Sequence, residues 1–64
     1  MRGFGRLVRE KLREAGCQFV RRGRGDHDIW YSPINLKNFT VPAHIDSRHT
    51  ANKVMKDAGL PKAF

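Results

Sequence analysis

The sequence contains little cysteine, few acidic residues and no long apolar run. Its single cysteine, Cys17, cannot form an intramolecular disulfide, whereas secreted domains this small usually depend on several. No apolar stretch approaches the roughly 20 residues that cross a bilayer, and Arg2, Arg6 and Arg9 interrupt the N-terminal segment. We therefore expect neither a membrane span nor an export signal, and these absences favour the reducing cytoplasm.

The length of 64 residues predicts one domain, covering residues 1–64, with a thin core. Hydrophobic residues make up 39% of the chain, which is enough apolar material to fold despite the high charge. A compact folded domain is therefore a better interpretation than a disordered basic segment.

Basic residues are concentrated in the N-terminal part of the chain. The 13 Lys and Arg against 6 Asp and Glu give a formal net charge of +7. Residues 1–24 hold eight of the basic residues and two of the acids, a net charge of +6, while the other 40 residues hold five and four, a net charge of +1. Clustered positive charge favours binding to a phosphate backbone, and an acidic protein partner is the alternative.

Apolar residues at three- and four-residue intervals predict a helix that begins near Phe4 and ends at Gly16. We expect the opposite face of this helix to be solvated and to hold ion pairs such as Arg6–Glu10. The charged residues of that face are Arg6, Arg9, Glu10, Arg13 and Glu14.

Three short segments with turn residues between them, at 17–22, 26–31 and 39–42, predict the strands of an antiparallel sheet. A second helix follows, with Asp46, Ser47 and Thr50 as possible N-caps and Gly59-Leu60-Pro61 as its stop signal. The predicted order is α-β-β-β-α, with both helices covering one face of a three-stranded sheet. Trp30 and Tyr31 must lie on opposite faces, but the pattern does not show which face is buried.

Four motifs occur in a characteristic order: Ala15-Gly16-Cys17, Gly25-Asp26-His27, Val41-Pro42-Ala43-His44 and Ala58-Gly59-Leu60. With them the chain resembles the HicA-type mRNA-interferase toxins over nearly its whole length. The resemblance implies a fold like that of double-stranded-RNA-binding domains, cleavage of mRNA, inhibition by a cognate HicB-type antitoxin, and His27 as the catalytic residue. Asp26 departs from the pattern, because the family usually has Ser there.

The residue types agree with the role that the resemblance implies for His27. RNA cleavage without a metal needs a group that moves a proton at the ribose 2′-hydroxyl or at the leaving oxygen, and imidazole is suited to this near neutral pH. Asp26 is a possible auxiliary residue, since a carboxylate can orient the ring, although it also repels phosphate. The alternative for His27 is a polar residue that only begins a strand.

Cations near His27 would stabilise the charge that gathers on phosphorus in the transition state. We expect Arg21, Arg22, Arg24 and Lys37 to contact RNA, and Arg22, Arg24 and Lys37 to stand closest to His27. The alternative for the arginines is a solvated hairpin tip. His44 is a possible second proton-transfer group or RNA contact, or else a loop anchor. We expect no cofactor and no zinc, because the histidines and Cys17 lack paired close spacing.

Three functions therefore remain open at the level of sequence. The first is a ribonuclease toxin with mRNA as substrate and an antitoxin as partner. The second is a non-catalytic module that recognises duplex RNA by shape, binds it in a salt-sensitive way and leaves it intact. The third is a regulatory protein whose basic surface serves only an acidic partner and binds no RNA.

Overall fold

In the computed structural model, which describes residues 3–64, two helices flank three strands in the predicted order α-β-β-β-α. Arg2, counted above among the basic residues, lies outside the described range. The predicted α+β class is confirmed, and the strand ends differ from the predicted ones by one or two residues. The elements are helix α1 (Gly5–Glu14), strand β1 (Gln18–Arg22), strand β2 (His27–Ser32), strand β3 (Lys37–Pro42) and helix α2 (Arg48–Asp57).

Both helices end as their glycines predict. After α1, Gly16 adopts a φ of +92°, and the N–H of Cys17 donates to the carbonyl of Leu12 at 2.9 Å. Gly59, with a φ of +83°, and Leu60 end α2 in the same arrangement. The left-handed glycine lets the chain turn back over the last helical turn, so that the following residue packs on the core. Each helix therefore ends at a left-handed glycine, and after α1 the chain enters the sheet directly.

Ser47 is the N-cap of α2 among the three candidates. Its hydroxyl oxygen accepts from the N–H of Thr50 at 3.2 Å, while the backbone of Ser47 is extended. This bond satisfies one of the N–H groups that the first helical turn leaves without an intrahelical partner. The cap fixes where the chain changes from the loop after β3 to α2.

Strand β2 is the centre of the sheet and pairs antiparallel with both neighbours. Its first residue, His27, lies opposite Pro42 at the end of β3, and its last residue, Ser32, lies opposite Lys37 at the start of β3. The pairing of β1 with β2 shifts between Phe19 and Arg21, so that one extra residue bulges from β1. The bulge decides which face each arginine of β1 occupies.

One face of the sheet is covered by the helices, as predicted. Trp30 is 2% exposed and forms the centre of the core. The guanidinium of Arg13 on α1 lies over its ring, 5.4 Å from the centroid. Tyr31 belongs to the other, open face, so the structure settles which of the two aromatic residues is buried. The buried apolar residues around Trp30 are Val8, Leu12, Cys17, Phe39, Val41, Ile45, Ala51, Val54, Met55 and Ala58.

The turn between β2 and β3 is bonded to the C-terminal end of α2. The buried hydroxyl of Ser32 donates to the carbonyl of Ala58 at 2.6 Å and accepts from the N–H of Ile34 at 3.1 Å. The side-chain amide of Asn35 donates to the carbonyl of Asp57 at 3.0 Å. These bonds satisfy carbonyls that the end of a helix leaves without a partner, and they join α2 to the sheet at the end far from His27.

Replacing Ser32 by alanine should lower the free energy of unfolding by about 1–3 kcal/mol, because it leaves a buried carbonyl and a backbone N–H without their partner. Urea unfolding followed by the fluorescence of Trp30, the single tryptophan, measures this change. Thr40→Ala, which removes an exposed hydroxyl from β3, is the control and should cost no more than about 0.5 kcal/mol. Equal stability of Ser32→Ala and the parent would contradict this role for the hydroxyl.

Candidate functional site

His27 is held at the first position of β2 by its backbone alone. Its N–H donates to the carbonyl of Arg24 at 3.2 Å, and its carbonyl accepts from the N–H of Gly23 at 2.7 Å. A Cβ at Gly23 would lie 3.0 Å from that carbonyl oxygen and 3.2 Å from the side chain of Ile29, so glycine is needed for this close approach. The imidazole itself is exposed and remains available to a ligand.

A shallow depression of about 430 Å³ lies around His27 on the open face of the sheet. Its charged lining residues are Arg21 and Arg24, and the remaining lining residues are Gly23, Ile29 and Thr40. The structure thus brings two of the predicted RNA-contacting arginines together with the predicted catalytic histidine. Guanidinium groups bind phosphate oxygens in a bidentate manner, so the depression can hold a phosphate group beside an imidazole.

Arg22 does not stand beside His27, and our expectation of its position is wrong. It lies opposite Asp28 on the helix-covered face, with its Nε 3.4 Å from Oδ1 of Asp28. The bulge in β1 is the reason, because one extra residue after Phe19 places Arg21 rather than Arg22 on the face of Ile29. Strict alternation along β1 would have given the reverse assignment, and whether Arg22 contacts RNA stays a prediction.

Lys37 is also distant from His27, contrary to expectation. It begins β3 opposite Ser32, five residues before Pro42, the partner of His27. At the usual rise of a strand this separation is about 16 Å. Antiparallel pairing places a residue at the β2–β3 turn far from the start of β2, so Lys37 belongs to the opposite end of the sheet. Its contact with RNA remains a prediction without support from proximity.

The two auxiliary candidates, Asp26 and His44, lie outside the depression at His27. The N–H of Ala43 donates to the backbone carbonyl of Asp26 at 2.6 Å, so the segment after β3 is bonded to the residue before His27. His44 is exposed and lines a separate groove of about 1010 Å³ with Arg6 and Arg9. Within residues 3–64 no hydrogen bond joins the Asp26 carboxylate to the His27 ring. A role of Asp26 in orienting the imidazole therefore has no support from a hydrogen bond, and the roles expected of His44 stay predictions.

Arg9 is a residue of this region that the sequence did not reveal. We expected it on the solvated face of α1, yet it is half-buried and one of its terminal nitrogens donates to the carbonyl of Pro42 at 3.1 Å. Pro42 is the ladder partner of His27. Arg9 thus fastens α1 to the strand end beside the depression, and no local pattern indicates such a contact. The expected Arg6–Glu10 pair is present, with an N···O distance of 3.3 Å.

The end of the molecule that contains His27 also holds the N-termini of the helices and two acids, Asp26 and Asp46. Both helices begin there, since the N–H of Phe4 donates to the carbonyl of Ile45 at 2.6 Å and α2 follows directly from the same loop. Neither helix has an acidic residue in its first turn. Helix N-termini carry partial positive charge, which Asp46, next to the N-cap of α2, partly offsets.

The histidines and acids do not gather into a metal-binding group: within residues 3–64 no three of His, Cys, Asp or Glu lie close enough together to hold a metal ion. In the same part of the chain, neither helix has the length and apolar character that crossing a membrane requires.

Comparison with known protein families gives a match over most of the chain. The model of a family described as the HicA toxin of bacterial toxin-antitoxin matches residues 5–60. No curated protein and no solved structure matches the chain. The matched range contains both helices, all three strands, and His27 with the residues that line its depression.

Proposed function

The chain belongs to the HicA toxin family, and from this premise we propose that it is a metal-independent mRNA endoribonuclease with His27 as its catalytic residue. The matched family consists of toxins of bacterial toxin-antitoxin systems, and the resemblance noted from the sequence implies cleavage of mRNA. The observation that carries the proposal is the depression in which the exposed imidazole of His27 adjoins Arg21 and Arg24. Proton transfer and charge stabilisation, the two requirements of metal-free RNA cleavage, are both supplied there.

In the proposed reaction the 2′-hydroxyl oxygen attacks the adjacent phosphorus and loses its proton. The bond to the 5′ oxygen breaks, and that oxygen takes up a proton, so the products are a 2′,3′-cyclic phosphate and a 5′-hydroxyl. His27 performs one of the two proton transfers, as base or as acid, and solvent performs the other. Arg21 and Arg24 hold the phosphate oxygens as negative charge accumulates on them.

Membership of the family implies an antitoxin partner, and we propose that a HicB-type antitoxin covers the depression at His27. Acidic groups of such a protein would pair with Arg21 and Arg24, which are both exposed. A bound antitoxin on this face excludes RNA by occupying the same surface. Because the proposed substrate is mRNA, the proposed site of action is the cytoplasm.

The proposal is tested by adding the chain, made by cell-free synthesis, to single-stranded and duplex RNA in excess chelator. Cleavage of single-stranded RNA, with cyclic phosphate ends on the products, is the expected result. Intact RNA together with salt-sensitive binding of duplex RNA would instead support the non-catalytic module. Failure to bind any RNA at low salt would favour the regulatory protein that serves only an acidic partner.

A further inference from the structure

We infer that the open face of the sheet is a track for single-stranded RNA, on which Tyr31 stacks against a base a few nucleotides from the cleaved bond. This inference rests on the proposed function, because it takes His27 as the point of cleavage. It assigns a substrate-binding role to a part of the sheet that lies outside the depression.

The strand pairing places a continuous set of side chains on this face. Alternate residues of β2, namely His27, Ile29 and Tyr31, share it. In the row of Ile29 lie Arg21 and Thr40, and in the row of Tyr31 lie Gln18 and Asn38. The helices cover only the opposite face, where Trp30 is buried. The face therefore leads without interruption from the depression to the tyrosine ring.

The charge of the face suits a polyanion. Arg21 contributes a cation between His27 and Tyr31, and none of the residues that the pairing places on this face is acidic. The one carboxylate within the paired strands, Asp28, lies on the other face beside Arg22. An acidic segment of a protein would also be attracted by Arg21, but a half-buried tyrosine between the amide side chains of Gln18 and Asn38 is suited to stacking on a base.

The strand geometry fixes where the ring meets the substrate. Tyr31 is four residues beyond His27 on the same strand, a distance of about 13 Å. Since stacked bases are about 3.4 Å apart, the ring lies beyond the nucleotides that flank the bond at His27. Only unpaired bases expose the faces that such a ring contacts. Tyr31 thus contributes to substrate affinity and to the preference for single strands, and it takes no part in proton transfer.

The inference is tested by fluorescence anisotropy with a labelled single-stranded RNA and a protein carrying His27→Ala, which prevents cleavage during titration. Adding Tyr31→Ala should weaken binding by about 5- to 150-fold, the range of one base–aromatic stack. Tyr31→Phe should bind like the parent, because the ring is retained. Phe19→Ala is the matched control, since Phe19 is an aromatic residue that is 51% exposed but pairs with Trp30 on the other face.

An RNA with one abasic nucleotide locates the contact. At one position in the RNA, removal of the base should weaken binding to the protein that carries only His27→Ala. It should not further weaken binding to the protein that also carries Tyr31→Ala, because two changes that remove the same interaction do not add. If Tyr31→Ala binds RNA as tightly as Phe19→Ala does, the open face is not an RNA track. This conclusion would hold even if Tyr31 contacts another partner. If the unmodified chain leaves RNA intact, the proposed function fails, and the same binding comparison still decides for or against the track.

Discussion

Replacing His27 by alanine should lower the rate of RNA cleavage by about 100- to 10,000-fold, the usual contribution of a positioned acid or base. The fold should be preserved, because the bonds that hold His27 in place use its backbone N–H and carbonyl, which alanine retains. Single-turnover cleavage of a labelled RNA measures the rate, and circular dichroism checks the fold. Cleavage by His27→Ala at the parent rate would remove His27 from the mechanism.

Of the other two histidines, His49 is a control for this experiment and His44 is a further candidate that it tests. His49 lies on α2 and lines a separate pocket with Lys53 and Lys56, so His49→Ala should cleave RNA within about twofold of the parent. His44 lines the groove beside Arg9, and His44→Ala distinguishes its three possible roles, of which an RNA contact would give a smaller loss of cleavage than His27→Ala does. A loss of cleavage as large as that of His27→Ala would identify His44 as the second proton-transfer group, whereas an unchanged rate would leave it as a loop residue.

Arg21→Ala should reduce cleavage by about 100- to 1,000-fold, as expected for the loss of a group that stabilises transition-state charge. Arg22→Ala is the matched variant, since it removes the same charge from the next residue on the opposite face. It should reduce cleavage by less than about tenfold and stability by at most about 1 kcal/mol, the value of an exposed ion pair. Rates for both variants at low and high salt separate a local contact from a general loss of positive charge.

Arg21→Lys refines this comparison, because lysine keeps the charge but lacks the two-pronged geometry of guanidinium. An intermediate rate is expected if Arg21 holds two phosphate oxygens. A larger loss for Arg22→Ala than for Arg21→Ala would show that the bulge does not set the active face, and the assignment of cations to the reaction would have to be reversed.

Local patterns predicted the elements of this fold because the forces that define them are local. The apolar spacing around Leu12 places one face of α1 on the core, and glycines at positions 16 and 59 end the helices through a backbone conformation that favours glycine. His27 was predicted from the family resemblance, and its exposure beside Arg21 and Arg24 agrees with that interpretation. Its catalytic role remains a prediction.

The positions that sequence did not predict depend on contacts between distant segments. Which face of β2 is buried follows from the packing of two helices on Trp30, and alternation alone is symmetric between the faces. No residue type in β1 indicates the bulge. The opposite charges of Arg22 and Asp28 nevertheless favour the observed pairing. The bond from Arg9 to Pro42 joins residues 33 positions apart.

The extra residue in β1 also affects how readily a second chain could add to the edge of the sheet. Every residue of β1 is exposed, and the outer edge of such a strand invites another chain to add to the sheet. The bulge after Phe19 breaks the regular row of N–H and carbonyl groups that an added strand would need. The positive charges of Arg21 and Arg22 would further repel the same strand of a second copy. Deletion of the extra residue would make β1 regular, and we therefore expect this variant to aggregate. The same deletion would place Arg22 instead of Arg21 on the face of His27.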